Sequence, residues 1–123
     1  MEYVRQVDFS AIDRSGLGER VTQALLDHGS GAKTCTILCI KTPVGGASPA
    51  GLHVHAVDQL FYVLCGTMSI EIEGTQHVGA PGSLIVFPAG VPHRNWNGGS
   101  EPTVHLAFNT PLPDPHAPFA GTL

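Results

Sequence analysis

From residue 33 onwards the chain consists of short apolar or alternating runs separated by glycine and proline. The clearest alternation lies in residues 67–73, where Met68, Ile70 and Ile72 share one face and polar side chains occupy the other. This alternation predicts an antiparallel strand with one buried face. With 15 Gly and 10 Pro, no long helical period survives beyond the first 30 residues, and the whole pattern is that of an all-β protein.

Further strands are predicted wherever β-branched and apolar residues lie between turn residues. Residues 20–27 could form a short helix, but a Gly-Ser-Gly turn and a β-rich run follow them, which favours a hairpin. The other predicted strands cover residues 33–42, 52–57, 59–65, 67–73, 76–78, 83–87, 93–96 and 102–109. Short strands at this spacing indicate a β-sandwich or a closed barrel.

The length of 123 residues fits one domain with a single core. We predict that the barrel covers residues 19–110. Residues 1–18 form an N-terminal arm whose apolar side chains, from Val4 to Ile12, pack on the outside of the barrel. Residues 111–123 form a proline-rich tail that is mobile or lies on a partner subunit. The arm, the tail and the edge strands of the barrel together predict a homodimer.

Composition excludes several classes of partner. The net charge is −4 and the six Lys and Arg residues are dispersed, so no nucleic acid partner is expected. The apolar runs are far shorter than the roughly 20 residues that span a bilayer, and no secretory signal is evident. Cys35, Cys39 and Cys65 form no C-x-x-C pair, and we interpret them as small buried thiols in a reducing compartment. A cytoplasmic protein without a membrane segment is therefore predicted.

Candidate metal ligands are concentrated between residues 53 and 59. His53, His55 and Gln59 have the same strand parity, so all three side chains can face the interior. Asp58 has the opposite parity and is expected to point away and support a histidine N–H, unless the chain turns and brings it into the place of Gln59. A His-x-His pair also occurs by chance, so it is weak evidence by itself.

A second element raises the specificity of this prediction. His93 follows Pro88–Pro92, a tight turn in which Gly90 can supply a positive φ. The turn aims His93 back at the histidine pair. The alternative interpretation of His93 is a core histidine satisfied by a hydrogen bond.

Together the two elements resemble the conserved motifs of the cupin superfamily. The first is His53-x-His55-x3-Gln59-x6-Gly66, and the second is Gly82-x5-Pro88-x-Gly90-x2-His93-x3-Asn97. Ala47 stands where the leading glycine of the first motif is expected.

The resemblance implies a small single-domain cupin, an all-β jelly-roll barrel of the double-stranded β-helix type. Its interior would bind one divalent transition metal per chain, which could be Fe, Mn, Ni, Zn, Cu or Co. The implied ligands are His53, His55 and His93, while Gln59 stands where the family usually has glutamate.

Among the differences from the cupin motifs, Gln59 in place of glutamate has the largest chemical consequence. A neutral amide oxygen leaves a divalent ion at full charge, whereas a carboxylate would neutralise part of that charge. Such an ion should bind less tightly, act as a stronger Lewis acid and favour an anionic ligand. We therefore count Gln59 among both the metal ligands and the catalytic residues.

Other side chains are predicted to line the pocket or to pack the core: Phe61, Val63, Cys65, Met68, Phe87 and Phe108. His105 is a candidate catalytic proton shuttle if it faces the interior, and it could equally lie on the surface. The remaining histidines are expected in solvent, and Arg94 and Trp96 are expected to face outward.

Three classes of function are consistent with these features. The favoured one is a metal-dependent enzyme that acts on a small organic metabolite, with a dioxygenase-like oxidation first and an isomerase, cyclase or lyase behind it. The second is a non-catalytic module that binds a small ligand or a metal. The third is a metal-free relative of sugar-nucleotide epimerases, which needs a His–Tyr acid/base pair and basic residues for the diphosphate. The sequence has only Tyr3 and Tyr62 as tyrosines, and the basic residues are missing. The few cations also argue against a multiply phosphorylated substrate.

Overall fold

The structure, a computed structural model, describes residues 3–47 and 51–122. Residues 1 and 2 of the predicted arm, part of the loop before residue 51, and residue 123 of the tail lie outside these ranges. One short helix, α1, covers Ser10–Asp13, and a 3₁₀ turn covers His28–Ser30. The described strands are β1 (Val21–Leu26), β2 (Thr36–Thr42), β3 (His53–His55), β4 (Asp58–Cys65), β5 (Met68–Ile72), β6 (Thr75–Gly79), β7 (Leu84–Phe87), β8 (His93–Trp96), β9 (Thr103–Thr110) and β10 (Ala120–Thr122).

These strands form two five-stranded antiparallel sheets, with the orders β1-β2-β9-β4-β7 and β10-β3-β8-β5-β6. The prediction of an all-β jelly-roll barrel is confirmed, and so is the hairpin that joins β1 to β2. Within the described residues, no helix is long and apolar enough to cross a membrane.

The hydrophobic core lies between the two sheets and fills one end of the barrel. Inward-facing residues at alternate positions of β4 and β5 supply much of it, as the alternation in the sequence predicts. The buried cluster consists of Ile40, Phe61, Val63, Met68, Ile70, Ile85, Phe87 and Ala107. These eight side chains come from both sheets, so the barrel has a substantial apolar core besides the candidate site.

The N-terminal arm packs on the outer face of the first sheet, near β2. Ile12 of α1 is buried there. The Lys41 ammonium group is also buried on this face, where it donates to the Ser15 hydroxyl at 2.6 Å and to the Gly16 carbonyl at 3.0 Å. Nearer the start, the Arg5 guanidinium donates to the Ser30 carbonyl at 2.6 Å, so the described part of the arm is held at more than one point.

The tail does not behave as the sequence suggests. Its last described residues form β10, which pairs with β3 in the register Ala120↔His55 and Thr122↔His53. The expectation of a mobile tail, or one lying on a partner, is wrong for this segment, because its backbone completes the edge of the second sheet. The strand Ala120–Thr122 is only three residues long and follows several prolines, so the sequence pattern did not predict it.

The cysteines are free thiols, but they are not all buried. Cys39 is buried, Cys35 is half-buried and Cys65 is exposed. The prediction that Cys65 is buried and lines the pocket is wrong because a register shift between Val63 and Cys65 breaks the alternation of β4. Gly66 follows with a φ of +75°, and a Cβ there would lie 2.5 Å from the Pro102 carbonyl oxygen. Only glycine fits this position.

Candidate metal centre

Three histidine side chains converge at one end of the barrel interior. His53 and His55 lie on β3, and the register of the second sheet places His93 of β8 directly opposite His53. All three residues are buried, and one ligating nitrogen from each lies within 4.8 Å of the others. Their ring centroids are 4.4–5.0 Å apart. This is the arrangement that a single ion bound by three imidazoles requires.

Each ring is oriented by a backbone carbonyl that accepts a hydrogen bond from its Nδ1. The acceptors are Gly51 for His53 at 3.1 Å, Phe119 for His55 at 3.1 Å and Val91 for His93 at 3.0 Å. Because a carbonyl can only accept, Nδ1 carries the proton in each ring and Nε2 keeps its lone pair.

The free Nε2 atoms test whether a metal fits this site. Those of His55 and His93 are buried and have no hydrogen-bond partner. A buried polar atom without a partner is costly, and a cation at their meeting point would satisfy both. The donor set therefore fits a divalent transition metal.

Aromatic rings and the turn before β8 hold two of the histidines in place. Phe87 stacks on His93 with a centroid distance of 4.2 Å, and Phe119 stacks on His55 at the same distance. Gly90 has a φ of +76°, and its N–H donates to the His55 carbonyl at 2.9 Å. The turn of the second motif is thus tied to the strand of the first, and this bond brings His93 to the pair.

Burial favours the neutral form of two of the three histidines, His55 and His93. Burial lowers the pKa of His93 to about 4, with smaller contributions from the neighbouring His53 and His55. Burial also lowers the pKa of His55, and the hydrogen bond to the Phe119 carbonyl partly opposes this shift. Neutral imidazole is the form that binds a metal, so burial prepares the site for loading near neutral pH.

Gln59 faces the interior from β4, as its parity predicts, and is 6% exposed. Its Nε2 donates to Asn109 Oδ1 at 3.0 Å, and Asn109 Nδ2 donates to Thr36 Oγ1 at 3.0 Å. The three residues lie opposite one another on adjacent strands. This relay fixes the Gln59 amide so that its nitrogen faces Asn109, which leaves the oxygen for the His55 side.

Asp58 lies on the outside of the barrel. Its carboxylate accepts a hydrogen bond from the Ala89 N–H at 2.8 Å, so it supports the turn before His93. It neither replaces Gln59 nor bonds to a histidine ring.

A cavity of about 170 Å³ opens beside His53 and His55. This volume is below the usual range for drug-sized ligands and suits a small metabolite. Its walls are formed by Arg20, Thr22, Leu38, Ile40, Thr42, His53, His55, Gln59, Phe61, Asn95, His105 and Phe119.

The predicted pocket residues divide into three groups. Phe61 is on the cavity wall. Val63, Met68 and Phe87 belong to the core cluster, where Phe87 backs His93. Phe108 has the opposite parity to the buried Ala107 and is only half-buried, so its assignment to the pocket is wrong.

His105 faces the interior and is 1% exposed. Its ring packs against Phe61 at a centroid distance of 4.1 Å, and neither of its nitrogens has a hydrogen-bond partner. Burial, and secondarily the charge of Arg20, lowers its pKa to about 4. At neutral pH His105 is therefore a neutral imidazole, in which one nitrogen can donate a hydrogen bond and the other can accept one.

Sequence reasoning missed several residues of this site, and those that matter most for its chemistry are Asn109, Arg20 and Phe119. Asn109 has the parity of His105 on β9, which was an available signal. Arg20 immediately precedes β1 and has the parity of Thr22. Phe119 could not be found without knowing that β10 pairs with β3.

The pH dependence of stability should report on His105. The pKa of His105 is about 4 in the folded protein and 6.5 in the unfolded chain, so between these pH values the unfolded chain binds more protons. The free energy of unfolding therefore falls as the pH is lowered from 6.5 towards 4. The contribution of His105 is about 3 kcal/mol at most. Urea unfolding of metal-free protein at pH 7.5 and pH 4.5, on the wild type and His105→Leu, measures it. An equal acid loss in both proteins would contradict this environment for His105.

The tail should support metal binding through His55. Truncation after Asp114 removes both the Phe119 carbonyl and its ring, and loss of such an outer partner typically weakens metal affinity by about 10- to 100-fold. Phe119→Ala keeps the carbonyl and should cost less. Metal titration of both variants checks this order, and an unchanged affinity in the truncated protein would show that the tail does not position His55.

The chain belongs to the cupin family. The family model described as "Cupin domain" matches residues 39–109, which is more than half of the chain and includes both motifs. No curated protein sequence matches this chain.

Several solved structures are similar to it. The "putative mannose-6-phosphate isomerase" of Ralstonia eutropha JMP134 is 29% identical, with 87% of this chain and 98% of that one covered and a TM-score of 0.69. The DMSP lyase DddQ of Ruegeria pomeroyi is 19% identical, with 85% and 54% covered and a TM-score of 0.67. A Klebsiella pneumoniae protein with a double-stranded β-helix domain is 18% identical, with 98% and 99% covered and a TM-score of 0.73. These likenesses establish the double-stranded β-helix fold.

Proposed function

We propose that this cupin is a metal-dependent enzyme that acts on a small organic metabolite. The observation that carries the proposal is the convergence of three buried imidazoles, each oriented through Nδ1 so that Nε2 is free toward a common point. His53, His55 and His93 would hold one divalent ion, and the Gln59 amide oxygen would be the fourth protein ligand. A bound ion would supply Lewis acidity and, if redox-active, activation of O₂.

The reaction we favour is a dioxygenase-like oxidation. The donor set is neutral, which suits binding of an anionic substrate such as an enolate. Phe61, Phe119 and Leu38 give the cavity an apolar wall that would exclude water from the substrate. These residues orient a small, mostly apolar molecule between the histidines and His105.

A second candidate is a proton-transfer reaction, as in an isomerase, cyclase or lyase. His105 supports it because its imidazole lines the cavity and no described group bonds to its nitrogens, so it could accept a proton from a bound substrate. The isomerase name of the 29% identical Ralstonia protein also supports this class. A phosphate dianion, however, would need more cations than Arg20 alone.

The two candidates differ in their need for oxygen. Protein purified without added metal is analysed for its metal, and then assayed against a panel of enols, catechols and hydroxy acids with and without O₂. Oxygen uptake that requires the metal supports the oxidation, and turnover under argon supports proton transfer. A protein without stoichiometric metal, and with no affinity for the metals tested, would contradict both and leave a non-catalytic module.

We also propose that the protein is a homodimer that forms through the outer face of the first sheet. Outward-facing Tyr62, Leu84 and Val86 are 41–63% exposed, and β7 lies at the end of that sheet, where two copies can pair about a two-fold axis. We expect light scattering at about 10 µM to show a dimer, and Val86→Lys to convert it to a monomer. Val78→Lys on β6 of the other sheet is the control. A monomeric wild type would refute the dimer, and a dimeric Val86→Lys protein would refute this interface.

A cytoplasmic location is our proposal from the thiols. All three cysteines are free, and Cys65 is exposed, which suits a reducing compartment. Fractionation of cells that express the protein tests the location, and recovery outside the cytoplasm would contradict it.

A further inference from the structure

The cavity has a second polar region away from the three histidines. His105 precedes Asn109 by four residues on β9, so both side chains face inward about 13 Å apart along the strand, at roughly 3.3 Å per residue. Asn109 lies at the end of the cavity nearest the proposed metal site, because its side chain accepts a hydrogen bond from Gln59. His105 therefore lies too far along the barrel to be another ligand of the same ion.

His105 has no internal partner to explain its position. Both of its nitrogens are buried and unpaired, and its neighbour on the wall is the apolar ring of Phe61. A leucine would pack there without an unsatisfied polar atom. An imidazole in this position is explained by a polar group that enters the cavity.

Arg20 brings a positive charge to the same region. It lines the cavity and is close enough to His105 for its charge to act on that ring. The lining residues include no carboxylate, and the single ion pair between described side chains joins Arg94 to Glu71 elsewhere. Arg20 is partly exposed to solvent and also lines the cavity, and no described side chain forms an ion pair with it.

We propose that Arg20 and His105 form an anion subsite, which binds the carboxylate of a small organic monoanion whose other end carries the oxygen atoms that meet the metal. The inference rests on the proposed function and adds the substrate class. One guanidinium matches one negative charge, and the fork of N–H donors suits a carboxylate. The neutral His105 can donate a further hydrogen bond to the same group.

Two hydroxamates that differ in one group test this subsite. Succinic monohydroxamic acid carries a metal-binding hydroxamate at one end and a carboxylate at the other, and butanohydroxamic acid lacks the carboxylate. Calorimetry on zinc-loaded wild type should show roughly tenfold tighter binding of the first. Arg20→Gln should remove that preference, and Arg20→Lys should keep part of it.

The controls separate this inference from the metal site. Arg14→Gln changes an exposed arginine outside the cavity and should leave the preference intact. His105→Leu should weaken binding of the succinic compound by several fold without changing zinc affinity. Equal binding of both hydroxamates by the wild type, or a preference that persists in Arg20→Gln, would overturn the anion subsite and leave the metal site standing. Failure of both compounds to bind would overturn both.

Discussion

Replacing His93 with alanine is expected to abolish metal binding and to leave the barrel folded. His93 supplies one of the three converging Nε2 atoms, and two imidazoles with a weak amide ligand cannot hold the ion firmly. We expect the affinity for Zn²⁺ or Ni²⁺ to fall by roughly 100-fold or more. Isothermal titration of the variant measures this loss, and His53→Ala should behave in the same way.

The matched control is His77→Ala, which removes an exposed histidine on β6. It should bind metal as the wild type does. Because each variant keeps the eight buried apolar side chains of the core, circular dichroism should show a folded barrel for all three variants. Chelation should lower the melting temperature only by the amount that ligand linkage allows. Stoichiometric metal in His93→Ala, or complete unfolding of the metal-free wild type, would contradict the account.

Gln59→Glu is expected to tighten metal binding and reduce turnover. It places a negative charge next to a divalent ion, and opposite charges a few ångströms apart attract strongly even at an effective dielectric constant of about 20. We expect metal affinity to rise by at least about tenfold. The same charge lowers the Lewis acidity of the ion and repels an anionic substrate, so turnover should fall while occupancy rises.

The relay to Asn109 adds a second effect of this substitution. A glutamate oxygen would face Asn109 Oδ1, which now accepts from Gln59 Nε2. The Asn109 amide must turn, and the Thr36 hydroxyl must become the donor in their bond. The metal-free variant should therefore lose about 1–2 kcal/mol of stability, which metal should restore.

Metal titrations and melting curves with and without metal measure both effects of Gln59→Glu. Gln59→Met, which has similar size and no charge, is the control and should bind metal more weakly than the wild type. Lost stability with unchanged metal affinity would remove Gln59 from the site and leave a three-histidine centre.

Strand parity and turn residues in the sequence are enough to predict most of the fold and the three histidines at the centre of the site. The alternation of Met68, Ile70 and Ile72 predicts β5, and the shared parity of His53 and His55 predicts a common face. These features are local, so they can be read from the sequence. His93 required the turn at Gly90, which the motif spacing contains.

Residues whose role depends on register could not be placed in this way. Asn109 matters because it lies opposite Gln59, and Phe119 because β10 returns to β3. Cys65 shows the converse, since a single register shift within β4 reverses the face that parity assigns to it. Long-range pairing therefore decides these positions, and short sequence patterns do not contain it.

The proposed site binds one divalent metal among His53, His55 and His93. Anomalous diffraction from crystals of metal-loaded protein, recorded at the absorption edge of that metal, locates the ion. For zinc, we expect a single peak per chain about 2.0–2.1 Å from the Nε2 atoms of all three histidines. A peak at another position, or the absence of a peak here when metal is present in stoichiometric amount, would contradict it.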